Sequence, residues 1–133
     1  MRRTTTAVLL AAALGLTGCG NGKPATKPSP SPTVRKEDAF LSAVHAANFT
    51  SWQSQGPTDD ELLTYPPKWC DGLDAGHSVK YLFSSGGAFL YPIGEEWGTK
   101  EAEADELLVM AVRVYCPRDL AVVKDELRAS GNY

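Results

Sequence analysis

The sequence predicts an all-α domain, a small bundle of four or five helices, standing behind an N-terminal export segment and a proline-rich linker. The first observation is that apolar residues recur at helical spacing in several separate stretches between Lys36 and Leu127, as in helices that bury one face. The second is that breakers or caps bound these stretches: Thr58, Pro66-Pro67, Gly76, Ser84 to Gly87, and Pro117. The third is that no convincing pair of strands can be found among them.

Taken in order, the chain opens with Arg2-Arg3 and an apolar run from Ala7 to Leu16. That run is signal-peptide length, well short of the roughly 20 residues a membrane-spanning helix needs. It leads into Leu16-Thr17-Gly18-Cys19, which resembles a bacterial lipobox. The resemblance implies that residues 1–18 are a lipoprotein signal peptide and that Cys19 becomes the lipidated first residue of the mature chain. A diacylglyceryl group on its thiol, with a palmitate-type acyl complement, would hold the protein to the cell membrane on its extracytoplasmic face, because two acyl chains anchor where one binds only reversibly.

The chain has three cysteines. With Cys19 taken up by lipid on that resemblance, Cys70 and Cys116 remain, and outside the cytoplasm they are expected to form a structural disulfide rather than free thiols or metal ligands. The bridge would close 46 residues, which the chain-entropy model values at about 4 kcal/mol.

Residues 19–35 form the linker. From Gly20 to Val34 four prolines stand among Gly, Ser, Thr and Lys, with no large apolar residue before Val34. Such a segment buries nothing and favours extended polyproline II, a reach of up to about 45 Å. Charge divides the same way. All 16 acidic residues lie from Glu37 onward, while Arg2, Arg3, Lys23, Lys27, Arg35 and Lys36 precede it. The globule is therefore acidic, which argues against nucleic acid as a partner, since phosphate binding needs clustered Lys and Arg on the folded face.

The folded domain spans residues 36–133. Its first helix is expected from near Lys36 to Asn48, with Phe40, Leu41, Val44 and Ala47 inward, Glu37 and Asp38 in the first turn, and His45 half-buried at the edge of the stripe. Thr58-Asp59-Asp60-Glu61 reads as a capping box opening a short helix. Pro66-Pro67 interrupts it, and a new or kinked helix is expected from Pro67 through Trp69, Cys70 and Leu73 to Gly76. His77 to Phe83 follows as a short third helix, stopped by Ser84-Ser85-Gly86-Gly87, and then comes an apolar, aromatic, non-helical connection from Ala88 to Gly98.

The strongest helix is expected after Thr99 as N-cap, with Ala104, Leu107, Leu108, Ala111 and Tyr115 on one face and a second half that is apolar all round. A helix of that kind is central and buried. Arg113 is the charge inside that half, and a bridge between Cys70 and Cys116 is expected to bring it to Asp74 as an ion pair. Pro117 suits the first turn of a last helix with Leu120, Val123 and Leu127 inward, and residues 128–133 are expected to fray. The whole is then an all-α bundle stapled by one disulfide.

The cysteine neighbourhoods Cys70-x-x-Leu73-x-x-Gly76 and Ala111-x-x-x-Tyr115-Cys116-Pro117, preceded by Asp38-x-Phe40-Leu41, resemble an actinobacterial family of small exported helical proteins, a domain of unknown function numbered seven-three-two. The resemblance covers Glu37 to Pro117 and departs at Pro66-Pro67. It implies a secreted or lipid-anchored helical domain closed by a Cys70–Cys116 bridge, and it carries no activity.

No familiar catalytic, phosphate-binding or zinc-binding motif stands in the sequence. His45 and His77, the two histidines, are too few for a structural zinc site, so neither a metal nor another cofactor is expected. Glu95-Glu96 beside Tyr91 and Trp97 offers the best enzymatic alternative, a carbohydrate-active site in the envelope, although sugar cleavage needs two carboxyl groups set across the scissile bond. The leading reading is a non-catalytic binding or accessory module. Phe89, Tyr91 and Trp97 are its candidate binding residues, because clustered aromatics mark interaction surfaces, and its partner would be an envelope protein or cell-wall component. A spacer or surface protein without a defined ligand is the remaining alternative.

Overall fold

A computed structural model describes residues 34–87 and 97–132. Among them all regular structure is helical, with no strand. Four helices exceed two turns: α1 (Lys36–Ala47), α3 (Tyr65–Asp74), α5 (Glu101–Tyr115) and α6 (Leu120–Ser130). Two are single turns, α2 (Asp59–Leu62) and α4 (Val79–Leu82). None of the described helices is long and apolar enough to cross a membrane.

Helix α5 is the centre, packed against α1 on one side and α3 on another, with α6 beside it. It buries Ala104, Asp105, Leu107, Leu108, Val109, Ala111 and Val112. Around it close Phe40 and Val44 of α1, Leu62 of α2, Trp69 of α3, Leu82 of α4, and Val123 and Leu127 of α6. Each such side chain removed from water contributes about 1.5–3 kcal/mol. The Cys70–Cys116 disulfide, with Cα atoms 5.9 Å apart, fastens α3 to the C-terminal end of α5. Gly72 lets α3 approach α4, since a Cβ there would collide with the Leu82 side chain.

Local chemistry sets the boundaries. Asn48 ends α1 in the left-handed conformation at φ 50°. The capping box of α2 forms as expected: Thr58 N–H donates to Glu61 Oε2 at 2.7 Å, and Glu61 N–H to Thr58 Oγ1 at 3.3 Å. Helix α3 begins at Tyr65 rather than Pro67. Both prolines fit within its first turn, where amides have no intrahelical partner and a missing N–H costs nothing. Helix α4 is shorter than the sequence suggests, capped by Ser78, whose hydroxyl accepts from Tyr81 N–H at 3.1 Å.

Other expectations are overturned. Arg113 is exposed, because it shares the solvent-facing stripe of α5 with Ala102 and Glu106, and it does not meet Asp74. Asp74 pairs instead with Arg118, from the turn after the disulfide. His45 is exposed too, its Nε2 lying 2.8 Å from Asp59 Oδ1. Residues 128–132 are held rather than frayed, and Tyr133 lies outside the described residues. Asn132 N–H donates to Leu127 carbonyl at 2.9 Å and Gly131 N–H to Arg128 carbonyl at 3.1 Å, a Schellman closure with Gly131 at φ 82°.

Thr99 is not the N-cap of α5. Lys100 takes that position, and its N–H is accepted by Ser51 Oγ at 3.0 Å. Thr99 is buried, and its hydroxyl accepts from Trp52 Nε1 at 2.7 Å.

Candidate functional site

The sites expected from sequence divide in three. Cys70 and Cys116 are joined. Cys19, Phe89, Tyr91, Glu95 and Glu96 lie outside the described residues. Trp97 is described and half-buried, with its ring centroid 6.5 Å from that of Tyr65 in an edge-on contact. Tyr65 stacks on Trp69 at 5.3 Å, and Trp69 meets Phe83 at 6.3 Å. An aromatic row therefore runs from Trp97 through the core to Phe83.

Phe83 is also a wall of the feature that sequence reading did not single out, a cavity of about 430 Å³ between α4, α5 and α6. That size lies within the usual range for small-molecule sites. Val79 and Leu127 supply further apolar wall, and Lys80, Glu101, Asp105 and Glu126 supply charge. The Schellman closure of α6 brings Asn132 to the same place, where its Nδ2 donates to Glu101 Oε1 at 3.1 Å. Glu126 Oε2 accepts from Val79 N–H at 2.7 Å, so one of its oxygens ties α6 to the start of α4.

Asp105 is the distinctive member. It sits on α5 four residues after Glu101 and hence on the same face. It is 2% exposed, and its Oδ2 is buried without a hydrogen-bond partner among the described residues. Burial of a carboxylate is costly unless it is paired, and here burial pushes the carboxyl up to about 6. The nearby Asn132 amide holds that rise back, and the Glu101 carboxylate adds to it. Asp105 is therefore poised to change protonation near neutral pH, or to take a donor brought from outside. The sequence carried one signal for it: Asp105 is in helical phase with Leu108 and Val112, so it sits on the buried stripe rather than opposite it.

The hydroxyls in the wall are already engaged. Ser84 Oγ donates to Tyr81 carbonyl at 2.7 Å and Ser130 Oγ to Leu127 carbonyl at 2.8 Å. Among the described residues, no three His, Cys, Asp or Glu side chains converge to hold a metal ion. No family model, curated protein or solved structure matches the chain.

The arrangement can thus bind through an apolar wall and a buried carboxyl with one oxygen unpartnered among the described residues. What it lacks, among the described residues, is a nucleophile held by a base.

Proposed function

We propose that the chain is a lipid-anchored, extracytoplasmic protein of the cell envelope. Its helical domain, residues 36–133, is a non-catalytic binding module presented on a linker, residues 19–35, after removal of a signal peptide, residues 1–18. The observation that carries the binding reading is the cavity lined by Asp105: it is ligand-sized and partly apolar, and one oxygen of that buried carboxyl has no hydrogen-bond partner among the described residues. Ser84 and Ser130 spend their hydroxyl hydrogens on helix carbonyls, which favours binding over nucleophilic catalysis at this place.

Anchoring is supported by the lipobox-like Leu16-Thr17-Gly18-Cys19 after a short apolar run, and by a paired Cys70 and Cys116, which suits an oxidising compartment. Membership of the exported helical family belongs to the same proposal and rests on the two cysteine neighbourhoods. Metabolic labelling with a clickable palmitate analogue, in a bacterial host that processes lipoproteins, tests the anchor. The expected outcome is label on the wild-type chain in the membrane fraction, and loss of both label and membrane association in Cys19→Ser. An unlabelled wild type, or a Cys19→Ser chain that is still labelled, overturns it.

A further inference from the structure

We infer that the cavity between α4, α5 and α6 takes a ligand bearing a cationic nitrogen, an ammonium or guanidinium group on a short apolar stem, with Asp105 as its counter-ion. The inference rests on the reading of this cavity as the binding site, and names the ligand class for it.

The first argument is the unsatisfied group. A buried carboxyl oxygen left without a donor costs about 1–3 kcal/mol, more when ionised, and among the described residues Asp105 Oδ2 has no hydrogen-bond partner, the Asn132 amide being the one polar group that favours the ionised form of the carboxyl. A ligand N–H⁺ directed at that oxygen removes the penalty and forms a charge-assisted hydrogen bond, roughly twice as strong as a neutral one.

The second argument is charge. Three carboxylates, Glu101, Asp105 and Glu126, border the cavity, against one base, Lys80, among the described lining. An anionic ligand would meet this lining with like charge, whereas a cation would relieve the repulsion between Asp105 and Glu101.

The third argument is shape and chemistry of the walls. Val79, Phe83 and Leu127 offer apolar surface to a stem. A bare metal ion is disfavoured by the donor geometry, since no three acidic, His or Cys side chains converge among the described residues.

Because the ligand's charge takes the place of a proton on Asp105, binding and protonation compete. Affinity should fall as pH drops through the region where Asp105 takes up its proton, with Glu101, Glu126 and Lys80 as the other charged groups facing the cavity among the described residues.

The test uses the full processed chain in detergent micelles, followed by amide NMR at Val79, Leu127 and Asn132, with three probes of matched length: cadaverine, pentanediol and glutarate. Expected are saturable shifts with cadaverine at about pH 7.5, at least about tenfold weaker with pentanediol and absent with glutarate. The cadaverine response should weaken about tenfold in Asp105→Asn and again in wild type at about pH 5. Glu101→Gln, which removes one charge from the exposed rim of the cavity, should weaken it about two- to fivefold. If pentanediol binds as well as cadaverine, or glutarate binds better, the cavity remains a binding site and the cationic assignment is wrong. If cadaverine binds Asp105→Asn as it binds wild type, Asp105 is not the counter-ion. If no probe shifts these amides up to about 50 mM, both the cationic assignment and the cavity as ligand site fall. The anchor, read separately through Cys19, stands or falls on its own.

Discussion

Glu103 and Asp105 stand two residues apart on α5 and carry the same charge, yet the fold treats them in opposite ways. At about 100° per residue they project to different sides of the helix. Glu103 faces a 3₁₀ turn at Thr50–Trp52 and accepts from Thr50 N–H at 2.8 Å, Thr50 Oγ1 at 2.6 Å, Ser51 N–H at 3.2 Å and the Ser51 hydroxyl. Desolvation alone would raise its carboxyl, but the hydroxyl bonds from Ser51 and Thr50, joined by the two backbone N–H groups, outweigh it and bring it down to about 2. Asp105 faces α4 and α6, where one oxygen finds no donor, and burial moves it up to about 6. Burial is common to both, so the donors across the interface decide the sign. A carboxylate whose acceptors are filled is a clasp; one left partly unfilled inside a cavity is a place for something else to bind.

This contrast requires α5 to be held firmly enough that its two sides stay different. The Cys70–Cys116 bond does that at its C-terminal end, and removing it is the most disruptive way to break the comparison. The double variant Cys70→Ala, Cys116→Ala is expected to lose about 4 kcal/mol by the chain-entropy model, read as a lowered urea midpoint. If α5 is loosened, the separate titrations of Glu103 and Asp105 should both drift toward ordinary carboxyl values. Unchanged stability would show that packing of α5 against α1 and α3 is sufficient alone.

Disrupting the clasp comes second. Glu103→Ala leaves Thr50 and Ser51 without their shared acceptor and is expected to cost about 2 kcal/mol, with Glu103→Gln recovering part of it. The pH dependence has a definite sign. Glu103 has a folded value of about 2, below its ordinary 4.5. Its contribution is therefore fully present above about pH 4.5 and is lost as pH falls toward 2. With solvent screening allowed for, that contribution is on the order of 1–2 kcal/mol. Wild type and Glu103→Ala should draw together in stability as pH falls from about 4.5 to about 2, and parallel curves would show that Glu103 acts by packing alone.

How much of this was readable beforehand depended on the distance along the chain to each partner. The capping box at Thr58 and Glu61 was legible because both halves lie within one turn. The centrality of α5 was legible from its apolar residues, and the cysteine pair from a count of three with one expected to carry lipid. Thr99 looked like a cap because a hydroxyl precedes the helix, but the indole of Trp52 claims that hydroxyl and Ser51 serves Lys100 instead. Both partners come from a turn almost fifty residues earlier. Arg113 looked buried because its neighbours are apolar, yet one turn of phase places it with Glu106 in solvent. Asp105 could be read as buried from its phase with Leu108 and Val112. That one of its oxygens is unpaired could not, since it depends on what α4, α6 and Asn132 bring near.

The smallest expected effect is also the one that sharpens the contrast most, because its sign is opposite to that of Glu103. Asp105 has a folded value of about 6, above its ordinary 3.8. Its favourable contribution is therefore fully present below about pH 3.8 and is lost as pH rises through 6, so the ionised carboxylate is a burden at neutral pH. Glu101 adds negative charge beside it, but the dominant cause is burial, which Asp105→Asn relieves by removing the charge while keeping the shape. The variant should be more stable than wild type by about 1 kcal/mol at about pH 7.5, with the difference shrinking toward zero near pH 4. Urea titrations at several pH values measure it. A gain that is the same at every pH would mean that Asn packs better for reasons unrelated to charge, and would return Asp105 to the class of ordinary buried polar groups. A gain that follows the proton would show the fold carrying, on one side of its central helix, a carboxylate it does not need for stability.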